Sequence, residues 1–339
     1  MLDFLKKNKQ LDLVGIGDIV VDTFIELIDA WIENDNPEKS RELCMRFGDK
    51  IPYKDEVTIY GEGNSINAAH AANRLGLKTG VITNLGSDDL GNQCLIHLNK
   101  SGIDTKGIKI HKNKTTNHNF VLRYKEDRTI LIHHNQYNYS LAGNLAKAPK
   151  WLYLSSLAKN SLDYHTQIFN FLERNPETKL AFQPGTFQIQ LGIEKLDYLY
   201  KRSEIFFCNK EEAQKILKTQ ESNISTLLEM MRKLGPKIVV ITDGPAGAYV
   251  FDGIKKLYGP MYPDIAPPVD RTGAGDAFES TFTSALILGK DIETALRWAP
   301  VNSMSVVQYI GAQAGHLTIS EIEQFLKNAP ENYKTEIID

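Results

Sequence analysis

Short apolar runs alternate with longer mixed stretches along almost the whole chain, and few folds accept such a rhythm. Leu11 to Val21, Lys78 to Leu85, Ile103 to Ile110, Trp151 to Leu157, Lys179 to Phe182, Ile205 to Cys208 and Lys237 to Ile241 read as buried strands. Helical segments lie between them, among them Leu90 to Lys100, Leu162 to Arg174 and Thr226 to Lys233. Gly86-Ser87-Asp88-Asp89 caps the first of these and Ser101-Gly102 ends it. This order predicts an α/β fold, a doubly wound and mostly parallel sheet flanked by helices. At 339 residues the chain has the length of about two average domains. The unbroken rhythm instead predicts a single domain over residues 1–339, with a final helix from Ser320 to Lys327 and a frayed end after Pro330.

Composition removes several classes of function. A net charge of -3 with 24% charged residues lacks the basic excess of a nucleic-acid binder. No apolar run approaches the ~20 residues of a membrane span. Lys6, Lys7 and Lys9 precede an apolar stretch, but Asp12, Asp18 and Asp22 interrupt it as no secretory signal would allow. Cys44, Cys94 and Cys208 form no CxxC pair and read as reduced thiols of a cytoplasmic protein. The eight histidines show no metal-ligand spacing.

The segment richest in chemistry is Val269-Asp270-Arg271-Thr272-Gly273-Ala274-Gly275-Asp276-Ala277-Phe278, which opens an apolar helical run from Ala277 to Leu288. Small residues let the backbone turn tightly and aim successive N–H groups one way. The helix that follows adds the positive end of its dipole. Gly273, Ala274 and Gly275 therefore form an anion hole suited to a phosphate. A carboxylate beside that hole is repelled by the anion. Asp276 fits best as the base that takes a proton from a hydroxyl attacking phosphorus. The simpler alternative is an N-cap, a position where Asp is favoured.

Other stretches group around this one. Gly17-Asp18 and Asp22 sit at the exit of the first strand, where ligands bind in open α/β sheets. Gly61-Glu62-Gly63-Asn64-Ser65-Ile66-Asn67 is a glycine turn feeding an alanine-rich helix that stops at Gly76. Cys208-Asn209-Lys210-Glu211-Glu212 leaves a buried strand and starts a helix, and Thr242-Asp243-Gly244-Pro245-Ala246-Gly247 is a glycine turn after another. Asn119 to Tyr124 and Thr129 to His134 form a hairpin around Glu126-Asp127-Arg128. Lys50 to Tyr60 alternates like a strand, and Glu33 to Arg41 reads as a polar loop.

Taken in order, these segments resemble the two signatures of the ribokinase-like, or PfkB-family, carbohydrate kinases, and the resemblance covers nearly the whole chain. Glu62 stands where the family's first signature has a glycine. The resemblance implies a ribokinase-like fold with a small β-sheet lid from about 23–61 and 117–136. It implies transfer of the γ-phosphate of ATP to a hydroxymethyl group of a sugar or nucleoside, with Asp276 as general base. Asp18, Asp22, Gly63 and Asn67 would bind the substrate, Asp22 by gripping two hydroxyls. Asn209, Thr242, Gly244, Gly247 and Gly275 would bind the nucleotide, with Asn302 placed near the adenine because Pro300 holds the usual asparagine position. Glu212 would order the water shell of Mg²⁺. Asp270, Thr272 and Gly311 would hold K⁺. The partner would be a small molecule, neither nucleic acid nor membrane, and the family leaves room for a homodimer through the lid.

Three readings compete at this point: a sugar or nucleoside kinase, a dinucleotide-binding oxidoreductase, and a non-catalytic ligand-binding relative of the kinases. The second lacks a Gly-x-Gly-x-x-Gly after the first strand. The absence of Gly-x-x-x-x-Gly-Lys-Ser/Thr excludes a P-loop enzyme. No Glu matches the one that ribose-specific members carry near Leu154-Ser155-Ser156-Leu157, which leaves nucleosides and other sugars open.

Overall fold

The computed structural model of the chain describes residues 10–33, 41–125, 127–141 and 147–339. The basic N-terminus, most of the polar loop after Glu33 and the hairpin residue Glu126 lie outside the described residues. In chain order the strands are β1 (Leu13–Ile16), β2 (Val20–Leu27), β3 (Trp31–Glu33), β4 (Glu42–Cys44), β5 (Tyr53–Glu62), β6 (Thr79–Gly86), β7 (Asp104–His111), β8 (His118–Tyr124), β9 (Asp127–His133), β10 (Trp151–Leu154), β11 (Lys179–Phe182), β12 (Ile205–Asn209), β13 (Ile238–Thr242), β14 (Ala248–Phe251), β15 (Lys256–Gly259) and β16 (Glu336–Ile338). The helices are α1 (Asn64–Arg74), α2 (Asp89–Lys100), α3 (Leu162–Arg174), α4 (Thr186–Leu191), α5 (Ile193–Arg202), α6 (Lys210–Leu217), α7 (Ile224–Lys233), α8 (Ala274–Ile287), α9 (Ile292–Val306) and α10 (Ile319–Lys327).

Ten strands form the main sheet in the order β16-β15-β14-β13-β12-β11-β10-β1-β6-β7. From β13 through β7 every pair is parallel, and β14, β15 and β16 add an antiparallel edge. Parallel strands covered on both faces should be apolar on both, and β1 and β10 are buried at every position. Leu13, Tyr153 and Phe207 pack on one side with Phe282 of α8 and Trp298 of α9. Val14, Leu154 and Phe206 pack on the other with Ile168 of α3, Leu199 of α5 and Met231 of α7.

A second sheet, ordered β5-β2-β8-β9, supplies the lid. Residues opposite one another share a face, so Ile59, Asp22, Asn119 and Ile132 make one row across it.

Two expectations need correcting. Leu11 to Val21 is not one strand. β1 ends at Ile16, and the chain turns at Gly17 before β2 joins the other sheet. A Cβ on Gly17 would lie 2.5 Å from Ser65 Oγ and 3.1 Å from Ser156 O, so a side chain would crowd this turn. An apolar run cannot reveal that it serves two sheets. The end of the chain is also not frayed: Tyr333 is buried with its hydroxyl on Arg297 O, and β16 pairs with β15.

Candidate active site

The functional segments meet at the carboxyl ends of the parallel strands, the face where open α/β sheets bind ligands. Asp18 follows β1, Gln183 follows β11, Asn209 ends β12 and Thr242 ends β13, where Asn209 and Thr242 are register partners. Opposite them α8 begins.

Gly273 is the N-cap of α8, left-handed at φ 80. A Cβ there would lie 2.2 Å from the Ala312 Cβ, so both backbone and space demand glycine. The helix starts at Ala274, earlier than the apolar run suggests. Asp276 is therefore its third residue, not its cap. The first N–H groups of a helix have no intrahelical acceptor, and Ala274 and Gly275 line a cavity. A Cβ on Gly275 would meet nothing within 4 Å, so protein packing does not explain that glycine.

The half-buried Asp276 carboxylate accepts three amide hydrogens. Oδ1 takes Asn64 Nδ2 at 2.9 Å and Gln183 Nε2 at 3.1 Å, and Oδ2 takes Asn67 Nδ2 at 2.8 Å. Desolvation nonetheless raises its pKa above the ordinary carboxylate value, against the lowering effect of those three bonds. Behind Gln183, its Oε1 accepts from Tyr153 OH at 3.0 Å and Ser155 Oγ at 3.0 Å. The Tyr153 hydroxyl also lies 3.2 Å from Oε2 of Glu279, a carboxyl one turn beyond Asp276, and the Glu279 pKa is pushed far up by burial, then by Asp276 and Glu212.

Asp22 reaches the same place from the lid. Its Oδ1 accepts Asn119 Nδ2 at 3.0 Å. Burial raises its pKa to about 6; Asn119 and His134 pull it down, while Asp270 and Asp276 push it up. Glu62, wholly buried, accepts Ala312 N at 3.1 Å, and burial and Asp22 raise its pKa to about 8. Gly63, at φ 121, brings the chain so close to Asp18 O that a Cβ would lie 2.4 Å from it.

Three residues named from the sequence take other parts. Asp18 is 3% exposed, with Tyr139 OH at 2.9 Å from each oxygen and Ala158 N at 2.9 Å from Oδ2, so it fastens the wall beside the site. Both ends of the Asn67 amide are held by protein: Nδ2 on Asp276, and Oδ1 accepting Gln313 Nε2 at 2.9 Å. Asn67 thus positions Asp276. Asn302 is fully buried, its Nδ2 on Thr281 Oγ1 at 2.6 Å and its Oδ1 accepting Leu317 N at 2.9 Å. It does not reach the nucleotide side, because residues two apart on a helix face nearly opposite ways. Pro300, Ser303, Met304 and Val307 share the lining face instead.

That cavity, of about 290 Å³, runs from Thr242, Gly244 and Gly247 past Pro260 and Met261 to Arg271, Ala274, Gly275 and Phe278. Gly247 at φ 92 could not carry a side chain, since a Cβ would lie 2.5 Å from Gly259 O. Asn209 and Glu212 form a capping box: Glu212 N donates to Asn209 Oδ1 at 2.8 Å, and Asn209 N to Glu212 Oε2 at 2.9 Å. Burial raises the Glu212 pKa, with Asp276 and Glu211 adding to it. Asp270 Oδ1 accepts the Thr272 N–H at 3.0 Å and hydroxyl at 2.8 Å, and Oδ2 accepts Gly311 N at 3.1 Å. Among the described residues, the one group of three His, Cys, Asp or Glu ligand atoms within 4.8 Å of one another is exposed Glu33 and Glu42 with half-buried Cys44 on β3 and β4.

Gln183, Asn64, Glu279 and Gln313 carry much of this architecture and were not singled out as site residues by sequence. Gln183 had a usable signal, a polar residue directly after a buried strand. Glu279 had another, a lone acid in an apolar helix.

The pfkB family carbohydrate kinase profile matches residues 22–319. A nucleoside kinase of Methanothermobacter thermautotrophicus is 27% identical over 318 residues, covering 90% of this chain and 92% of that protein. The Arabidopsis thaliana ribokinase structure, complexed with ribose and ATP, superposes with a TM-score of 0.76 at 21% identity, over 94% of this chain and 99% of that one. A putative ribokinase II from E. coli in complex with ATP and Mg²⁺ superposes with a TM-score of 0.73 at 20% identity, over 94% and 99%. These likenesses establish a ribokinase fold, and no helix among the described residues is long and apolar enough to cross a membrane. The chain belongs to the pfkB family of carbohydrate kinases, phosphotransferases that act on an alcohol group.

Proposed function

We propose that the protein transfers the γ-phosphate of ATP to a hydroxymethyl group of a nucleoside or sugar, with Asp276 as general base. The observation that carries this reading is the Asp276 carboxylate, fixed by three side-chain amides at the third position of the glycine-led helix α8. Its raised pKa makes it a stronger base than an ordinary carboxylate. Asp276 takes the hydroxyl proton as the hydroxyl oxygen bonds to the γ-phosphorus. The bond from that phosphorus to the bridging oxygen breaks, and ADP leaves with the electron pair. The N–H groups of Gly273, Ala274 and Gly275 face the charge that develops on the transferring group. Asp22 grips acceptor hydroxyls from the lid, through an Oδ2 that has no hydrogen bond among the described residues.

Glu212 and Asn209 would hold Mg²⁺ through water, and the ion would neutralise phosphate oxygens. The fit rests on Glu212 itself: its pKa is raised by burial and by neighbouring carboxylates, which a divalent cation would reverse. Asp270, Thr272 and Gly311 already converge, with both Asp270 oxygens on N–H groups. A K⁺ there would be held by backbone oxygens and would brace the turn into Gly273.

Between the two acceptor classes, the lid row favours a nucleoside. Ile59 and Ile132 flank Asp22 and Asn119 on one face, and Ile132 is 65% exposed. An apolar edge beside a hydroxyl-gripping carboxylate suits a base next to a ribose better than a free sugar. The test is a panel of nucleosides, ribose, fructose and sugar phosphates with ATP, Mg²⁺ and K⁺, followed by ADP release. Nucleosides should turn over best. A panel in which only free sugars react would reverse the substrate assignment, and Asp276→Asn decides the base.

A further inference from the structure

The β8–β9 hairpin of the lid and the 267–271 segment face each other across an open cleft of about 460 Å³. It meets the nucleotide-side cavity at Arg271, which lines both. Its charge is lopsided: Arg123, Lys125 and Arg128 line it from the hairpin and Arg271 from the segment, against the carboxylates of Asp127 and Asp270.

Arg123 of β8 and Arg128 of β9 are register partners, and like charges directly opposite each other destabilise a sheet. The nearby acids do not relieve them. Glu26, across β2 from Arg123, feels its charge but is bonded by Lys54 Nζ at 2.8 Å. Asp127 turns Oδ1 to the Arg128 N–H at 2.8 Å. Asp270 is held on both oxygens by Thr272 and Gly311. Among the described residues none of the four cations forms an ion pair. Arg123 donates from Nη2 to Val269 O at 3.2 Å. Guanidinium groups carry their charge at every pH a folded protein meets, so the imbalance does not turn on any titration. A cleft lined by one sign of charge concentrates the opposite ion. Guanidinium forks match phosphate oxygens, and two of them on strands about 4.8 Å apart can share one such anion. The acceptor is not its carrier. Asn119, Val121 and Arg123 alternate onto one face of β8, and buried Val121 with its partner Phe24 stands between Arg123 and the Asp22 row.

We propose that this cleft binds an oxyanion of the phosphate class, held by Arg123 and Arg128 against Arg271, which ties the lid tip to the segment leading into α8. The phosphate is either free or part of a nucleotide in the adjoining cavity. The test uses the full chain and calorimetry, at constant ionic strength and constant free Mg²⁺. Pyrophosphate is titrated into protein saturated with a non-hydrolysable ATP analogue, so that the α8 N-terminus is already occupied. The analogue's own affinity is measured beside it. Arg123→Gln and Arg128→Gln are compared with the parent, each shown to be folded by its melting in chloride, and one folded variant suffices. A free anion gives pyrophosphate binding to the saturated parent, weakened about tenfold by either variant through the loss of one charged hydrogen bond. A nucleotide-borne phosphate gives no such binding, and the analogue itself binds about tenfold more weakly to either variant. The proposal is overturned if a folded variant binds both pyrophosphate and the analogue as the parent does. If the analogue does not bind at all, the kinase reading fails, and pyrophosphate titrated into the free protein decides the cleft by the same comparison.

Discussion

Asp276→Asn separates a base from a helix-positioning residue, and the hydrogen bonds around it set the size of the structural effect. Oδ1 accepts from Asn64 and Gln183, and Oδ2 from Asn67. Asparagine can give its oxygen to the first two only by turning its NH₂ towards Asn67 Nδ2, so two donors meet. Asn67 cannot reverse without setting its own NH₂ against Gln313 Nε2. Gln313 cannot follow, because the same nitrogen donates to Gly61 O at 2.7 Å. One buried donor is left without an acceptor, which costs about 1–3 kcal/mol. Some of that returns, because Asp276 helps raise the pKa of Asp22, Glu62, Glu212 and Glu279, and removing its charge eases all four. At roughly 2–4 °C per kcal/mol for a large domain, the melting temperature should fall by less than about ten degrees. Turnover should fall by about 10²–10⁴, while ATP affinity holds or rises with one negative charge gone. Melting, ATP calorimetry and ADP release are measured on one preparation. A folded variant that turns over within a few-fold of the parent would refute Asp276 as the base.

The other expectations follow from the same carboxyl groups and from the lid. Asp22→Ala should raise the acceptor KM roughly ten- to a hundredfold, the ~1.5–3 kcal/mol of a charged hydrogen bond, with ATP binding kept; an unchanged KM would mean the acceptor lies elsewhere. Because the Asp22 pKa is raised to about 6, the parent's acceptor KM should climb as pH drops through that value, and a KM flat from neutral to pH 5 would contradict the role. Glu62 binds its proton more tightly folded, near 8, than at its ordinary 4.5, so its contribution to stability is present below 4.5 and lost as pH rises to about 8. Glu62→Gln should therefore raise the melting temperature at pH 8 and flatten the slope over that window, and a lower melting temperature at pH 8 would contradict this. On the lid's other face Phe120 pairs with Leu131, and both are exposed; if that face joins two copies, Leu131→Lys should convert a sedimenting dimer to monomer, whereas a parent that sediments as monomer would remove the idea.

Local sequence was informative wherever one segment does the whole job. The parallel strands announced themselves because burial on both faces makes them apolar at every position, as in Trp151–Leu154. Gly273 and Gly247 were legible because a left-handed turn asks for glycine wherever it stands. What failed was everything decided by a neighbour distant in the chain. By sequence Asn67 reads as a substrate ligand, and no linear motif could show that Asp276 arrives at one end of its amide and Gln313 at the other. Asn302 sat two residues from the right helix face, an error of rotation that a linear motif cannot register. Glu62 read as a departure from a glycine, yet it occupies the floor where β5, α1 and the 311–313 segment meet. Asp22, Glu62 and Asp276 come from a lid strand, that strand's neighbour and a helix over two hundred residues on; Asp276 raises the pKa of both others, and Asp22 raises that of Glu62. Such crowding destabilises the fold, and surface-seeking carboxylates have no reason to converge without a task. The acids that do converge are the ones facing the glycine-led end of α8, so the instability is concentrated where a hydroxyl and a phosphate would meet.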